Sequence, residues 1–254
     1  MVSCIGDINR WMTSNLLKLN TDKTDFILLG TRQQLGKTSL KEIDISGVRV
    51  PVSTTVMCLG VLIDSELMFA AHIRRLTGRC FHQFRQLLSI RRTLKTEAGK
   101  TLVHALVITR VDYCNSIIGS TSAVHLRSLQ SVLNAAARLI VKRRKYDHIT
   151  DSLRDELHWL PIHYRRYYKL CILIYKCLHC SAPSYLVDQC VPISMNSARS
   201  GLRSATNRNL AYPRTNLVRY GQRGFSVIGP RTLNELPADL RDPDKSLDAF
   251  WKKT

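Results

Sequence analysis

Apolar residues recur every three or four positions through most of the chain after residue 65, which is the period of an amphipathic helix. The clearest stripe consists of Phe69, Ile73, Leu76, Cys80, Phe84 and Leu87. Further helices are predicted from Thr96, as the N-cap, to about Ile118, from near Ser122 through Ile140, from Thr150 to Leu157, and from His163 to His179. Short links between these helices, such as Gly119-Ser120, predict a helical bundle.

The pattern before residue 65 is mixed. Ile5, Ile8, Met12, Leu16 and Leu19 predict one short helix that ends near Asn20. The apolar run 25–30 predicts a strand, residues 43–50 predict a hairpin that turns at Ser46-Gly47, and the apolar run 56–63 predicts a single buried strand. These elements indicate a helix packed with a small sheet.

The last part of the chain shows neither period. From Pro192 to Pro237 serine, asparagine, arginine and glycine dominate, which predicts irregular structure. The expected fold class is therefore α+β, predominantly α. The expected organisation is a β-containing segment over 1–65, a helical region over 66–190 and an irregular, arginine-rich lobe over 191–254.

Composition adds a strong positive charge. The chain has 38 Lys and Arg against 19 Asp and Glu, a formal net charge of +19, which favours a polyanionic partner such as nucleic acid. No uninterrupted apolar run of about 18 residues occurs, and the first ten residues do not resemble a signal peptide. We therefore predict an intracellular protein that does not span a membrane, without deciding between nucleus and cytoplasm.

The positive charge lies in three blocks that contain almost no acid. The first covers 73–95, the second covers 122–146 and ends in Lys142-Arg143-Arg144-Lys145, and the third covers 196–234 and contains no lysine. A charged run is often only a solvated helix face, but three such blocks suit contacts to a sugar-phosphate backbone. The predicted nucleic-acid contacts are Arg74, Arg75, Arg79, Arg138, Lys142, Arg143, Arg144, Lys145, Arg199 and Arg203.

Cysteines offer one alternative chemistry. Cys177 and Cys180 have the spacing of half a zinc site, with Cys171, His179 and Cys190 nearby, but no second pair at matching spacing follows. We expect Cys177 to face a helical core and predict no metal site.

Several fragments, taken in order, resemble one family. Trp11-Met12 with Asn15 to Asn20 and Lys23-Thr24, then Cys58-Leu59-Gly60-Val61 with Asp64, are similar to the later palm of non-LTR retrotransposon reverse transcriptases of the jockey, CR1 and L2 kind. The resemblance continues in Val111 to Asn115, Leu129 to Ile140, Leu157 to Ile162, Ala182 to Leu186, Leu202 to Ser204 and Leu233 to Pro237. It covers nearly the whole chain.

The resemblance implies an RNA-directed DNA polymerase, with a palm remnant, a thumb-like helical region and RNA or RNA–DNA hybrid as the non-specific partner. It implies that Lys23 lies where the departing pyrophosphate is protonated, and that Leu59-Gly60 lies in the hairpin that holds the primer end. It also implies Mg²⁺ in the complete enzyme, held by aspartates from motifs that would precede Met1. This sequence has no adjacent aspartate pair, so we expect no cofactor in this chain and no polymerisation by it alone.

Other catalytic signatures are missing from the sequence: it has no glycine-rich phosphate loop, no serine elbow and no two-histidine zinc motif. Three hypotheses remain. The chain is a truncated reading frame that grips nucleic acid, or part of an active enzyme whose start is misplaced, or a host-adopted protein-interaction module built on the helical bundle. The missing palm or fingers region is a further expected partner.

Overall fold

The computed structural model describes residues 2–45, 47–118, 121–195, 209–217 and 220–241. Helix accounts for 59% of these residues and strand for 10%, in two small sheets. The predicted α+β fold, predominantly α, is confirmed.

The chain forms two compact units. The first contains Met1–Arg85 and Thr121–Ser128, and the second contains Gln86–Ser120 and Leu129–Thr254. The predicted three-part organisation, with boundaries near residues 65 and 190, stays a prediction.

Helix α1 of the first unit spans Val2–Ser14 and ends earlier than predicted. Leu16 adopts a left-handed backbone (φ 57°), its N–H donates to Thr13 O, and the N–H of Leu17 donates to Met12 O. These two bonds form a Schellman motif, which terminates a helix. Leu16 is 97% exposed, so its predicted place on the apolar face was wrong.

Five strands follow α1, and a short helix, α2 (Arg32–Lys37), lies between the first two. They are β1 (Phe26–Ile27), β2 (Glu42–Ile45), β3 (Val48–Ser53), β4 (Thr55–Cys58) and β5 (Val61–Asp64). β3 pairs with β2 antiparallel and with β1 parallel, which confirms the predicted hairpin at 43–50. Buried Ile43, Ile45 and Val50 form the core of this sheet.

The apolar run 56–63 is not a single buried strand. It folds back as the β4–β5 hairpin, in which Cys58 pairs with Val61 across a two-residue turn, and most of β4 is exposed. Leu59 (φ 45°) and Gly60 (φ 84°) are both left-handed, as a type I′ turn requires. An apolar residue at the first turn position hides this turn from sequence patterns, which expect Asn or Asp there.

Helix α3 spans Ala70–Ile90, as the period predicts. All six residues of the predicted stripe are buried. The turn into the helix is organised by Asp64, whose carboxylate accepts the N–H groups of Glu66, Met68 and Phe69. Buried His72 fixes the first turn of α3 to β5, since its Nδ1 accepts the N–H of Leu62 at 3.1 Å.

The helix predicted over 96–118 is interrupted. Helix α4 (Thr96–Val103) runs through a π-helical turn (His104–Ile108) into α5 (Thr109–Asp112), and α6 (Asn115–Ile118) follows a break at left-handed Cys114. Lys95 is the N-cap and its side chain makes no capping hydrogen bond, so the assignment of Thr96 to this position was wrong by one residue.

The other predicted helices are present at nearly the predicted bounds. Helix α7 spans Ala123–Ile140, a π-helical turn covers Ser152–Glu156, and α8 spans Ile162–Leu178. The short helix α9 (Ser184–Val187) follows.

The prediction of irregular structure over 192–237 was wrong for Phe225–Glu235, which form helix α10. Leu233 of α10 joins a buried core with Leu170, Ile174 and Cys177 of α8. The side-chain amide of Asn234 donates to Leu210 O and accepts the N–H of Leu210. Both main-chain groups of Leu210 are thus bonded to α10, in the same way as they would be to a neighbouring β-strand. Gly229 and Pro230 inside the helix concealed it from sequence patterns.

Candidate nucleic-acid interface

The outward face of α3 carries a group of exposed arginines. Arg74, Arg75 and Arg79 are all exposed, and none pairs with a carboxylate in the described part of the chain. Burial, followed by the charges of Arg75 and Arg79, lowers the pKa of His72 on the inner side of the helix. Unneutralised guanidinium groups on a rigid helix can bind phosphate oxygens through forked hydrogen bonds.

A second exposed group, the basic turn Lys142–Lys145, follows the end of α7. Lys142 has a left-handed backbone (φ 58°), and the N–H of Arg143 donates to Arg138 O, which is the longer of the two hydrogen bonds of a Schellman motif, so α7 ends here. All four basic side chains are exposed; Lys145 lies over the Tyr146 ring at 5.3 Å, and Arg143 approaches Glu156 at 3.8 Å.

Two arginines bind main-chain carbonyl oxygens in and beside the basic turn. Arg91 Nη2 donates to the carbonyl oxygens of Arg138 and Arg143, at 3.0 and 3.1 Å, and so ties the last turn of α7 to the basic turn. Arg138 donates through Nε and Nη2 to Asp147 O. Arg138 was predicted to contact nucleic acid; in the structure its Nε and Nη2 groups are used in hydrogen bonds to the main chain.

The hairpin residues Leu59 and Gly60 lie at the tip of β4–β5, where Leu59 is 86% exposed. Lys23 ends a short 3-10 turn, Thr21–Lys23, with its backbone N–H on Asn20 Oδ1 and its side chain exposed. The roles that the resemblance implies for Leu59, Gly60 and Lys23 stay predictions. Arg199 and Arg203 lie outside the described residues.

Residues that the sequence did not single out join the second unit's basic surface. A cavity of about 270 Å³ lies between the start of α4 and the end of α7, and it is lined in part by Thr96, Lys100, Lys142 and Glu156. Lys100 also pairs with Glu97 at 3.0 Å. Its proximity to Lys142 depends on tertiary structure and has no signal in the sequence.

Three of the fragments that carry the family resemblance take part in hydrogen bonds around the start of α8. Arg165 Nη1 binds Asp112 Oδ2 at 2.7 Å, with both side chains mostly buried. The N–H of Ile162 donates to Gln130 Oε1, whose amide nitrogen donates to Asn134. The first bond joins segment 111–115 to Arg165 of α8, just beyond segment 157–162, and the second joins segments 129–140 and 157–162, so these polar residues stabilise the second unit.

Four of the eight cysteines are buried, namely Cys80, Cys171, Cys177 and Cys190, whereas Cys4, Cys58 and Cys180 are exposed. Cys177 is 1% exposed, as predicted, whereas Cys180 is exposed and Cys190 is buried beside Cys177. Burial raises the pKa of Cys190 to about 12 and that of Cys171 to about 11. Among the described residues, no group of three or more His, Cys, Asp or Glu could hold a metal ion.

No helix in the described ranges is long and apolar enough to cross a membrane. Comparison of the chain with family models, with curated proteins and with solved structures gives no match.

Proposed function

We propose that this chain is part of a non-LTR retrotransposon reverse transcriptase and that it binds RNA or RNA–DNA hybrid without sequence preference. The observation that carries the proposal is the charge of Arg74, Arg75 and Arg79, which are exposed on one helix and have no carboxylate partner among the described residues. The order of the family-like fragments along the chain, and the β4–β5 hairpin with Leu59-Gly60 at its tip, support the family assignment.

Binding in this proposal is electrostatic. Arginines on a helix face meet phosphate oxygens, which are the same for every base, so the contacts fix position without reading sequence. Each phosphate that is neutralised releases condensed counterions, and affinity therefore falls steeply as salt rises. The basic turn Lys142–Lys145 acts in the same way.

The proposal does not extend to polymerisation by this chain. Phosphoryl transfer on nucleotides uses carboxylates that hold two Mg²⁺ ions about 4 Å apart. The described residues form no cluster that fits such a pair, and the sequence has no adjacent aspartates, so no catalytic step is assigned to them.

Titration of the purified chain with labelled single-stranded RNA and with a primer–template hybrid, followed by fluorescence anisotropy over a range of salt, tests binding. We expect the affinity for both to fall log-linearly with salt. Undetectable or salt-independent binding to both would refute the proposal.

A separate incubation with Mg²⁺, primer–template and nucleotides tests the catalytic part. We expect no primer extension, and extension by a homogeneous preparation would show that the chain carries a metal site. A protein partner whose binding survives high salt would instead favour the interaction-module hypothesis.

A further inference from the structure

The first two turns of α8 expose a surface that the basic blocks do not include. His163, Tyr164 and Tyr167 are exposed there, with Tyr164 54% and Tyr167 37% accessible. Tyrosines at positions i and i+3 lie on the same side of a helix, about 4.5 Å apart along its axis. Further along α8 this side is covered, because Cys171 and Ile174 are buried.

Cations lie beside these rings and no acid is close in sequence. The Arg166 guanidinium lies over the Tyr167 ring at 4.7 Å, and the rings of His163 and Tyr164 are 3.8 Å apart. The sequence has no Asp or Glu from Leu157 to Val187, whereas Arg166 and Lys169 lie in the same two turns. An aromatic surface with arginine and lysine side chains on the same two turns suits a ligand that has both π faces and phosphates.

The helix that carries these rings is held rigidly. Arg165 binds Asp112 at 2.7 Å and donates to Leu160 O at 2.8 Å, and it lies over the Trp159 ring at 5.9 Å. The first N–H of α8, on Ile162, is bonded to Gln130. Rings on a fixed helix lose little conformational freedom when a planar ligand stacks on them.

We infer that Tyr164 and Tyr167 form a stacking platform for two consecutive bases of single-stranded nucleic acid, with Arg166 and Lys169 at the adjoining phosphates. This inference rests on the proposed function and adds to it a binding site that only single-stranded nucleic acid can use. A base in a duplex is already stacked on its neighbours, so only an unpaired strand can use the platform.

The test measures affinity of the full chain for a labelled single strand of about 12 nucleotides, oligo(rA) or oligo(dT), and for a hybrid duplex of equal length. Removal of one ring, as Tyr164→Ala or Tyr167→Ala, is expected to weaken single-strand binding about tenfold, and removal of both about a hundredfold. Affinity for the duplex should change less than about twofold.

Two controls separate stacking from loss of structure. Tyr164→Phe with Tyr167→Phe keeps both rings and should keep the single-strand affinity. Tyr185→Ala removes a ring that is 65% exposed on α9, away from the platform in sequence, and should have no effect. Circular dichroism and urea unfolding show whether each variant is folded.

The outcomes distinguish this inference from the proposed function. Unchanged single-strand affinity in the double alanine variant, or equal weakening for strand and duplex, would overturn the platform while salt-dependent duplex binding stands. A wild-type chain that binds the duplex but not the single strand would overturn it as well. If the wild-type chain binds neither the single strand nor the duplex, both the stacking platform and the proposed function are overturned.

Discussion

Asp64 is the last residue of β5, and its carboxylate organises the turn into α3. Oδ1 accepts the N–H of Met68 at 2.8 Å and of Glu66 at 3.2 Å, and Oδ2 accepts the N–H of Phe69 at 2.6 Å. Asp64→Ala leaves these partly buried donors without an acceptor. We expect it to lower the free energy of unfolding by about 2–3 kcal/mol, measured by urea denaturation.

Asp64→Asn is the matched variant. Its single oxygen can replace Oδ1 but not Oδ2, so only the bond to Phe69 should be broken and the cost should be smaller than for alanine. Equal costs for the two variants would mean that the Oδ1 bonds to Glu66 and Met68 contribute nothing measurable, and no cost in Asp64→Ala would mean that the carboxylate does not stabilise the turn. The sequence shows Asp64 only as an acid at the end of an apolar run, and its role becomes visible in the structure, where three N–H groups converge on it.

His72 makes stability depend on pH. Burial, with the charges of Arg75 and Arg79, lowers its pKa in the folded chain below the ordinary 6.5. In the window between the folded pKa and 6.5, the unfolded chain binds more protons at this site than the folded chain. Stability is therefore full above pH 6.5, falls as the pH decreases through this window, and levels off below the folded pKa. Urea denaturation at a series of pH values measures this.

The control for this pH effect is His72→Asn. The asparagine Oδ1 can accept the N–H of Leu62 in place of His72 Nδ1, and it does not titrate. The variant should lose the part of the pH dependence that lies just below 6.5, while the dependence due to carboxylates at lower pH stays. A pH profile identical to that of the wild type would assign the effect to another group.

At the scale of elements, α1, α7 and α8 end with a residue other than glycine in the left-handed region: Leu16, Lys142 and Cys180. Leu16 is the best probe because its side chain is 97% exposed, so a substitution there changes the backbone preference and little else. We expect Leu16→Gly to raise the free energy of unfolding by about 0.5–1 kcal/mol, measured by urea denaturation.

Leu17→Gly tests whether this gain belongs to the left-handed position. Leu17 follows in the chain and is not among the residues with positive φ, so glycine there should give no gain and a small loss from the freer unfolded chain. A gain of similar size at both positions would contradict the explanation.

Helix prediction succeeded where one face of the helix is continuously buried. The stripe from Phe69 to Leu87 predicts α3 because every member is buried, and the period is unbroken. Helix α10 was not predicted, since Gly229 and Pro230 lower its intrinsic helix preference and tertiary packing, with Val227 and Leu233 buried, compensates for this. The β4–β5 hairpin failed because its turn carries Leu59.

For the whole molecule, the sequence shows where the basic residues lie along the chain, but not which of them bind within the fold and which are open to a ligand. Arg91 and Arg138 lie within the predicted basic blocks, yet their guanidinium groups bind main-chain carbonyls, and Arg165 binds a carboxylate. Arg74, Arg75 and Arg79 are exposed and available to a ligand. The difference depends on which acceptors the fold brings near each guanidinium, and residue type carries no information about this.

The α3 arginines can be tested as a block. Arg74→Ala, Arg75→Ala and Arg79→Ala together remove three charges from one exposed helix face. If each binds a phosphate, the slope of log affinity against log salt for duplex should become less steep by about 0.9 for each phosphate that is no longer bound. Fluorescence anisotropy titrations at several salt concentrations give this slope directly.

A second triple variant removes the same number of charges at another site. It separates direct phosphate binding from the overall electrostatic field of a chain with a net charge of +19. Arg32→Ala, Lys37→Ala and Lys41→Ala remove three exposed charges from the same unit, in and just after α2. The overall electrostatic field depends on total charge, so both triple variants would weaken it equally. The salt slope instead depends on how many phosphates the protein contacts, because each contact releases counterions. We therefore expect a larger change of slope for the α3 variant, and equal changes would show that α3 holds no privileged interface.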